Sequence, residues 1–149
     1  MSKVLDEAAS LEMSERVKSY YNNCFHNARK AVLLIKGANY VQGFLAFPGA
    51  PFKPVEHSWI EVEDKIIDPT LPQLKKSASE LYYFAAHRLS VKQLNAIIAE
   101  SEEDYPEDDP LPVYGEPPYE YYGELMLGGS NYKTAWEEAA AKCRELNRS

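Results

Sequence analysis

Cys24, His57 and Asp68 are the residues in this chain whose types could do covalent chemistry together. A thiolate is a strong nucleophile, an imidazole can take and return its proton, and a carboxylate can fix the imidazole in one tautomer. The His and the Asp belong to one short stretch, EHSWIEVEDKIIDPT, from Glu56 to Thr70. Glu63-Asp64 reads as a two-residue turn between two strands. Val62 then pairs with Lys65, Trp59 with Asp68 and His57 with Thr70. Paired residues, and residues two apart on a strand, point to the same face. His57 and Asp68 become diagonal neighbours, roughly 7 to 8 Å apart at the backbone, within reach of a side-chain hydrogen bond. A slip of one residue would send them to opposite faces.

Cys24 falls where a reactive thiol is expected, at the start of a helix beginning in Asn22-Asn23-Cys24. The positive end of the helix dipole and the unpaired N–H groups there favour a thiolate, and the same N–H groups can receive an oxyanion. On residue types alone the combination is weak, since a Cys, a His and an Asp occur in most chains of this size and free Cys is commonly just buried.

The elements that must position these residues read as follows. A helix is expected over 10–22, with Leu11, Val17, Tyr20 and Tyr21 as its stripe and Ser10 or Ser14 as N-cap. The Cys24 helix follows, with Ala28, Ala31, Val32 and Ile35 at helical spacing and Gly37 as its stop. Strands are expected at 39–47, 57–62, 65–68 and 81–89, with a proline-rich loop over 48–54. Ser90 and Gln93 form a capping box for a helix to about residue 100. The stretch 101–118 is acidic and proline-rich and reads as a solvated loop. YEYYGELML adds a strand, GGS breaks it, and 132–146 is a C-terminal helix with Trp136, Ala139, Ala140 and Cys143 on one side. Helices, then antiparallel strands, then helices make an α+β chain. At 149 residues it reads as one domain, with a core over about 10–100.

Composition narrows the function classes. The net charge of −7 and the scattering of sixteen Lys and Arg argue against a nucleic-acid partner. No apolar run is long enough for a membrane span, and MSKVLDEAAS is not of signal-peptide type, so the expected compartment is cytoplasmic. The two cysteines, Cys24 and Cys143, read as free thiols there. No zinc-ligand spacing is present, and the thiol chemistry requires no cofactor.

The string NNCFHNARKAVLLIKGANYVQGFL followed by HSWIEVEDKIIDPT resembles the core of the transglutaminase-like superfamily over roughly 20–70. The matching pieces are Cys24, Ala38 to Phe44, His57 to Val62, and Asp68-Pro69-Thr70. The resemblance implies a papain-like arrangement, a Cys-bearing helix packed on an antiparallel sheet that presents His and Asp. It implies Cys24 as nucleophile, His57 as base and Asp68 as orienter, acting on a peptide or protein amide through a thioester. The superfamily includes transglutaminases, peptide N-glycanases, cysteine peptidases and small bacterial or phage proteins. The chain departs from it beside the nucleophile, where the family often has Trp and this sequence has Asn23 and Phe25. Gln42 and Asn22 are candidate oxyanion donors, and Trp59 a candidate substrate contact or shield for the His–Asp pair. Among the remaining candidates, His26 points away from Cys24 along the helix, His87 reads as structural, and Cys143 as buried and inert. A second reading keeps the fold without the chemistry: a binding protein that uses the acidic Tyr/Pro-rich surface, for which a basic peptide is the natural partner.

Overall fold

The computed structural model describes residues 3–113, 119–122 and 125–148. It is an α+β chain. The elements in order are β1 (Val4–Leu5), α1 (Glu7–Val17), α2 (Cys24–Val32), β2 (Asn39–Ala46), β3 (Val55–Val62), β4 (Lys65–Ile67), α3 (Leu71–Leu74), β5 (Tyr82–Leu89), α4 (Val91–Asp104), β6 (Tyr119–Tyr122), β7 (Leu125–Gly128) and α5 (Gly129–Leu146). Five strands make one sheet in the order β1-β4-β3-β2-β5, and β6 and β7 form a separate hairpin. The expected antiparallel sheet is corrected to a mixed one, because β1 runs parallel to β4. Two residues are too short a strand to leave an alternating pattern in the sequence.

Helical ends differ from expectation for local reasons. α1 starts at Glu7, not Ser10, because the Asp6 carboxylate accepts from the Ala9 N–H at 2.9 Å and takes the cap. Ser10 lies inside the helix and returns its hydroxyl to the Asp6 carbonyl. α1 ends at Val17, where Lys18 turns into the left-handed region, so Tyr20 and Tyr21 are exposed instead of extending an apolar stripe. The buried face is Ser10, Met13, Ser14 and Val17. α2 begins at Cys24 as expected but stops at Val32, before Gly37. α4 keeps its Ser90–Gln93 capping box and runs on to Asp104, where Glu102 and Glu103 are good helix formers. The expected strand over YEYYGELML is two strands; β7 ends at Gly128, within GGS as expected, and α5 begins at Gly129, three residues before the expected Tyr132.

Alternation along β2 divides the core. Tyr40, Phe44 and Ala46 face the helices. Tyr40 packs with Ile60, Ile67 and the apolar sides of α1, α2 and α4, while Phe44 and Ala46 pack on Tyr132, Ala135, Ala139 and Cys143 of α5. Val41 faces the other way, with Trp59, Ile66, Tyr83 and Ala85. Among the described residues no helix is long and apolar enough to cross a membrane.

One glycine is required by close approach. Gly43 is paired with His57 on β3 and with Ala85 on β5, beside a register shift at Gln42/Gly43. A Cβ at Gly43 would lie 2.0 Å from the Phe84 carbonyl oxygen. That oxygen belongs to the backbone, so only a movement of the strand could relieve the clash. Gly43→Ala is therefore expected to destabilise the chain by about 3 kcal/mol or more. Urea unfolding measures this, and an unchanged midpoint would show that β5 does not approach β2 this closely.

Candidate active site

The site is built outward from Asp68. The ladder Val62↔Lys65, Glu61↔Ile66 and Ile60↔Ile67 matches the expected turn and, continued one step, puts Trp59 opposite Asp68. β4 ends at Ile67, so the chain leaves the sheet as Asp68-Pro69-Thr70 alongside the remaining length of β3. Proline favours an extended residue before it, which fits the exit. Asp68 is fully buried. A buried carboxylate is costly unless its oxygens are satisfied. Oδ1 accepts from the Thr70 N–H at 2.9 Å. Oδ2 accepts from His57 Nε2 at 2.8 Å and from the Tyr83 hydroxyl at 2.8 Å. The Asp68 N–H itself donates to Ser10 Oγ of α1 at 2.9 Å.

His57 is 2% exposed. Its ring stacks on Trp59, with centroids 6.1 Å apart and planes at 24°, and Tyr83 contacts both rings. Burial by itself pulls an imidazole pKa down. Here the hydrogen-bonded Asp68 carboxylate and the nearby Cys24 sulfur outweigh it and raise His57 from 6.5 to about 10. With Nε2 held by Asp68, Nδ1 is the ring nitrogen left for Cys24.

Cys24 is the first residue of α2 and partly exposed. The preceding Asn23 makes no side-chain cap bond. The first intrahelical bond runs from the Asn27 N–H to the Asn23 carbonyl at 2.9 Å, so the N–H groups of Cys24, Phe25 and His26 precede the helical ladder. Asn27, one turn after Cys24 and fully buried, fixes the helix to the Asp68 turn. Its Nδ2 donates to Thr70 Oγ1 and to the Tyr20 carbonyl, each at 3.0 Å, and its Oδ1 accepts from the Tyr20 N–H at 3.3 Å.

Cys24, His57 and Asp68 thus meet, and the other candidates are placed elsewhere. Gln42 is fully buried with its amide already used: Nε2 donates to the Val113 carbonyl at 2.6 Å and the Tyr132 hydroxyl at 3.3 Å, and Oε1 accepts from Tyr40 and the Val113 N–H. Those bonds leave no amide hydrogen for an oxyanion. Asn22 is exposed in the turn before α2, with φ at 65°. Trp59 is 0% exposed, and its indole N–H donates to Glu61 at 3.2 Å, so it walls the site from behind and offers no surface to a substrate. Glu61 in turn holds Arg88 at 2.7 Å. His26 bonds Asp109 at 2.7 Å, and Asp109 is held below its ordinary range: burial opposes this, but the Leu111 N–H and His26 prevail. His87 packs on the Tyr132 ring at 5.0 Å. Cys143 is buried in the α5 cluster, and burial pushes its thiol upward.

Asn27, Tyr83 and Ser10 are the site residues that sequence reasoning missed. Asn27 carried a signal, since three residues after Cys24 puts it on the same side of the helix. Tyr83 carried only a weak extension of the resemblance, to Tyr82-Tyr83-Phe84, and Ser10 reads as an N-cap; their contacts with Asp68 join separate elements. A cleft of about 350 Å³ lined by α1, α3 and the Lys75–Ser79 turn does not include Cys24 or His57. Compared with known proteins, the chain matches no family model, no curated protein and no solved structure.

The arrangement places a sulfur beside an imidazole that is backed by a carboxylate. The sign of its pH dependence follows from His57. Its folded value lies above the ordinary 6.5, so the folded chain binds that proton more tightly than the unfolded one. The resulting stability is complete below pH 6.5 and is lost as pH rises through about 10. Asp68→Asn removes the carboxylate and leaves the burial. The His57 ring is then expected to titrate near or below 6.5, and the decline of thermal stability between pH 6.5 and 10 to flatten. NMR titration of the ring protons checks the first expectation, and melting curves across that range check the second.

Proposed function

We propose that this chain is a cysteine-dependent amide hydrolase or acyl transferase, of peptidase, deamidase or transglutaminase type, on a transglutaminase-like, papain-like arrangement. The observation that carries this reading is the placement of His57, bonded through Nε2 to the buried Asp68 at 2.8 Å and interacting with Cys24 at the start of α2. The order of the motifs along the sequence supports it as well.

The chemistry runs as follows. The Cys24 thiol gives its proton to His57 Nδ1, and the thiolate attacks the carbonyl carbon of an amide. The electron pair of the carbonyl moves to oxygen, where the free N–H groups at the start of α2 are the available donors. The tetrahedral intermediate collapses, the C–N bond breaks, and His57 returns the proton to the departing amine. A thioester remains on Cys24. Water or a second amine then gives a proton to His57 and attacks the thioester carbon, the C–S bond breaks, and His57 returns the proton to the Cys24 thiolate, leaving an acid or a new amide. Asp68 holds the imidazole in the tautomer with Nε2–H and stabilises the imidazolium between the two steps. Peptide or protein amides are the substrate class this chemistry implies.

Iodoacetamide labelling between pH 5 and 9, read by mass spectrometry at each cysteine, tests the reading. Cys24 is expected to be labelled at pH 6 to 7 at least about tenfold faster than Cys143, where an ordinary thiol of pKa about 8.5 is slow. His57→Ala is expected to remove that low-pH reactivity, and Cys24→Ala to remove the labelled site. Labelling of Cys24 that follows ordinary thiol behaviour and ignores His57 would sink the enzyme reading in favour of a binding protein on the same fold.

A further inference from the structure

Asp68 Oδ2 serves two donors at once. His57 Nε2 and the Tyr83 hydroxyl both lie 2.8 Å from that single oxygen, while Oδ1 is occupied by the Thr70 N–H. Tyr83 comes from β5, which is separated from β3 in the sheet by β2. Its ring reaches over to contact Trp59 edge-on, with centroids 4.9 Å apart, and His57 at 6.4 Å. A phenol is not needed for that packing, since phenylalanine would fill the same space. The hydroxyl is the part that calls for an explanation.

We infer that Tyr83 is a positioning residue that divides the Asp68 charge and so sets how tightly His57 holds the proton it must pass on. The inference rests on the function proposed above. An imidazole backed by an undivided buried carboxylate would keep its proton, which favours the thiolate but hinders delivery to the departing amine. A second donor on the same oxygen draws off part of the carboxylate's acceptor strength. General acid–base catalysis needs that balance, because the group must both gain and lose the proton within one turnover.

Tyr83 can fill this role at any working pH. Burial, and then the neighbouring Asp68 charge, push its phenol well above the ordinary range, so it stays an O–H donor. Among the described residues, the other titratable groups acting on His57 are Asp68, beyond β4, and Cys24 on α2. Farther out, Tyr40 on β2 senses Cys24, Glu56 of β3 and Arg29 of α2, and burial keeps it protonated. Tyr83 can therefore be altered without adding or removing a charge.

Tyr83→Phe is the test, with folding checked by near-ultraviolet circular dichroism. The His57 ring is expected to titrate about half a unit to one unit higher than in the wild type, as a hydrogen bond to a charged group is worth about that much when shared. The iodoacetamide profile of Cys24 is expected to move to lower pH by a similar amount. A merely structural tyrosine would move neither. If folded Tyr83→Phe titrates and labels as the wild type does, while His57→Ala still silences Cys24, the role of Tyr83 is refuted and the enzyme reading stands. If Cys24 ignores His57 in both backgrounds, the enzyme reading itself has failed. Should Tyr83→Phe not fold, the wild-type phenolic proton decides. A downfield, slowly exchanging resonance that moves in Asp68→Asn supports the shared oxygen, and its absence refutes it.

Discussion

The carboxylate of Asp68 is buried to zero exposure, and every element around the site is arranged to make that tolerable. Its oxygens collect bonds from β3, from β5 and from its own turn, and its backbone N–H is received by a serine on α1. Two residues on, Thr70 takes the Asn27 amide of α2. One short turn thereby ties together two helices and two strands that are distant in sequence. Losing a partner from such a network leaves a buried charge short of a bond, which costs more than the bond itself was worth. Fold and site are for this reason hard to separate in this chain.

Apolar packing does a different job. The helices lie on one face of the sheet, against Tyr40, Phe44, Ala46, Ile60 and Ile67. The opposite face carries Val41, Trp59 and Ile66, with Tyr83 and Ala85. The site forms where β4 has stopped and β3 continues, so a strand flank, a helix start and a turn come together without interrupting either face. Gly43 lets β5 approach closely enough for Tyr83 to reach across.

The acidic stretch is used more specifically than its composition implies. Part of it continues α4 to Asp104. Farther on, Asp109 holds His26, Leu111 is buried in the core, and the backbone of Val113 bonds both ends of the Gln42 amide. Gln42 looked like a polar group near a cleft, but a buried amide needs all its bonds, and this segment supplies two of them. Proline and acid content describe how a segment meets water. They do not tell whether a few of its residues also lock it onto the protein.

What the sequence by itself determined was local and periodic. A two-residue turn at Glu63-Asp64 fixes the register of β3 and β4, and a period of two then puts His57 and Asp68 on one side. The start of α2 at Cys24 and the Ser90–Gln93 box of α4 were legible for the same reason, since caps and turns act within a few residues. Helix α1 was misplaced because a serine inside a helix and a serine at its cap look alike until their partners are known. Only the tertiary structure decided that Cys24 reaches His57, that Asn27 pins their helix, and that Tyr83 shares the Asp68 oxygen. Those contacts join elements whose spacing along the chain has no fixed relation to distance in space, and burial is what makes them bind.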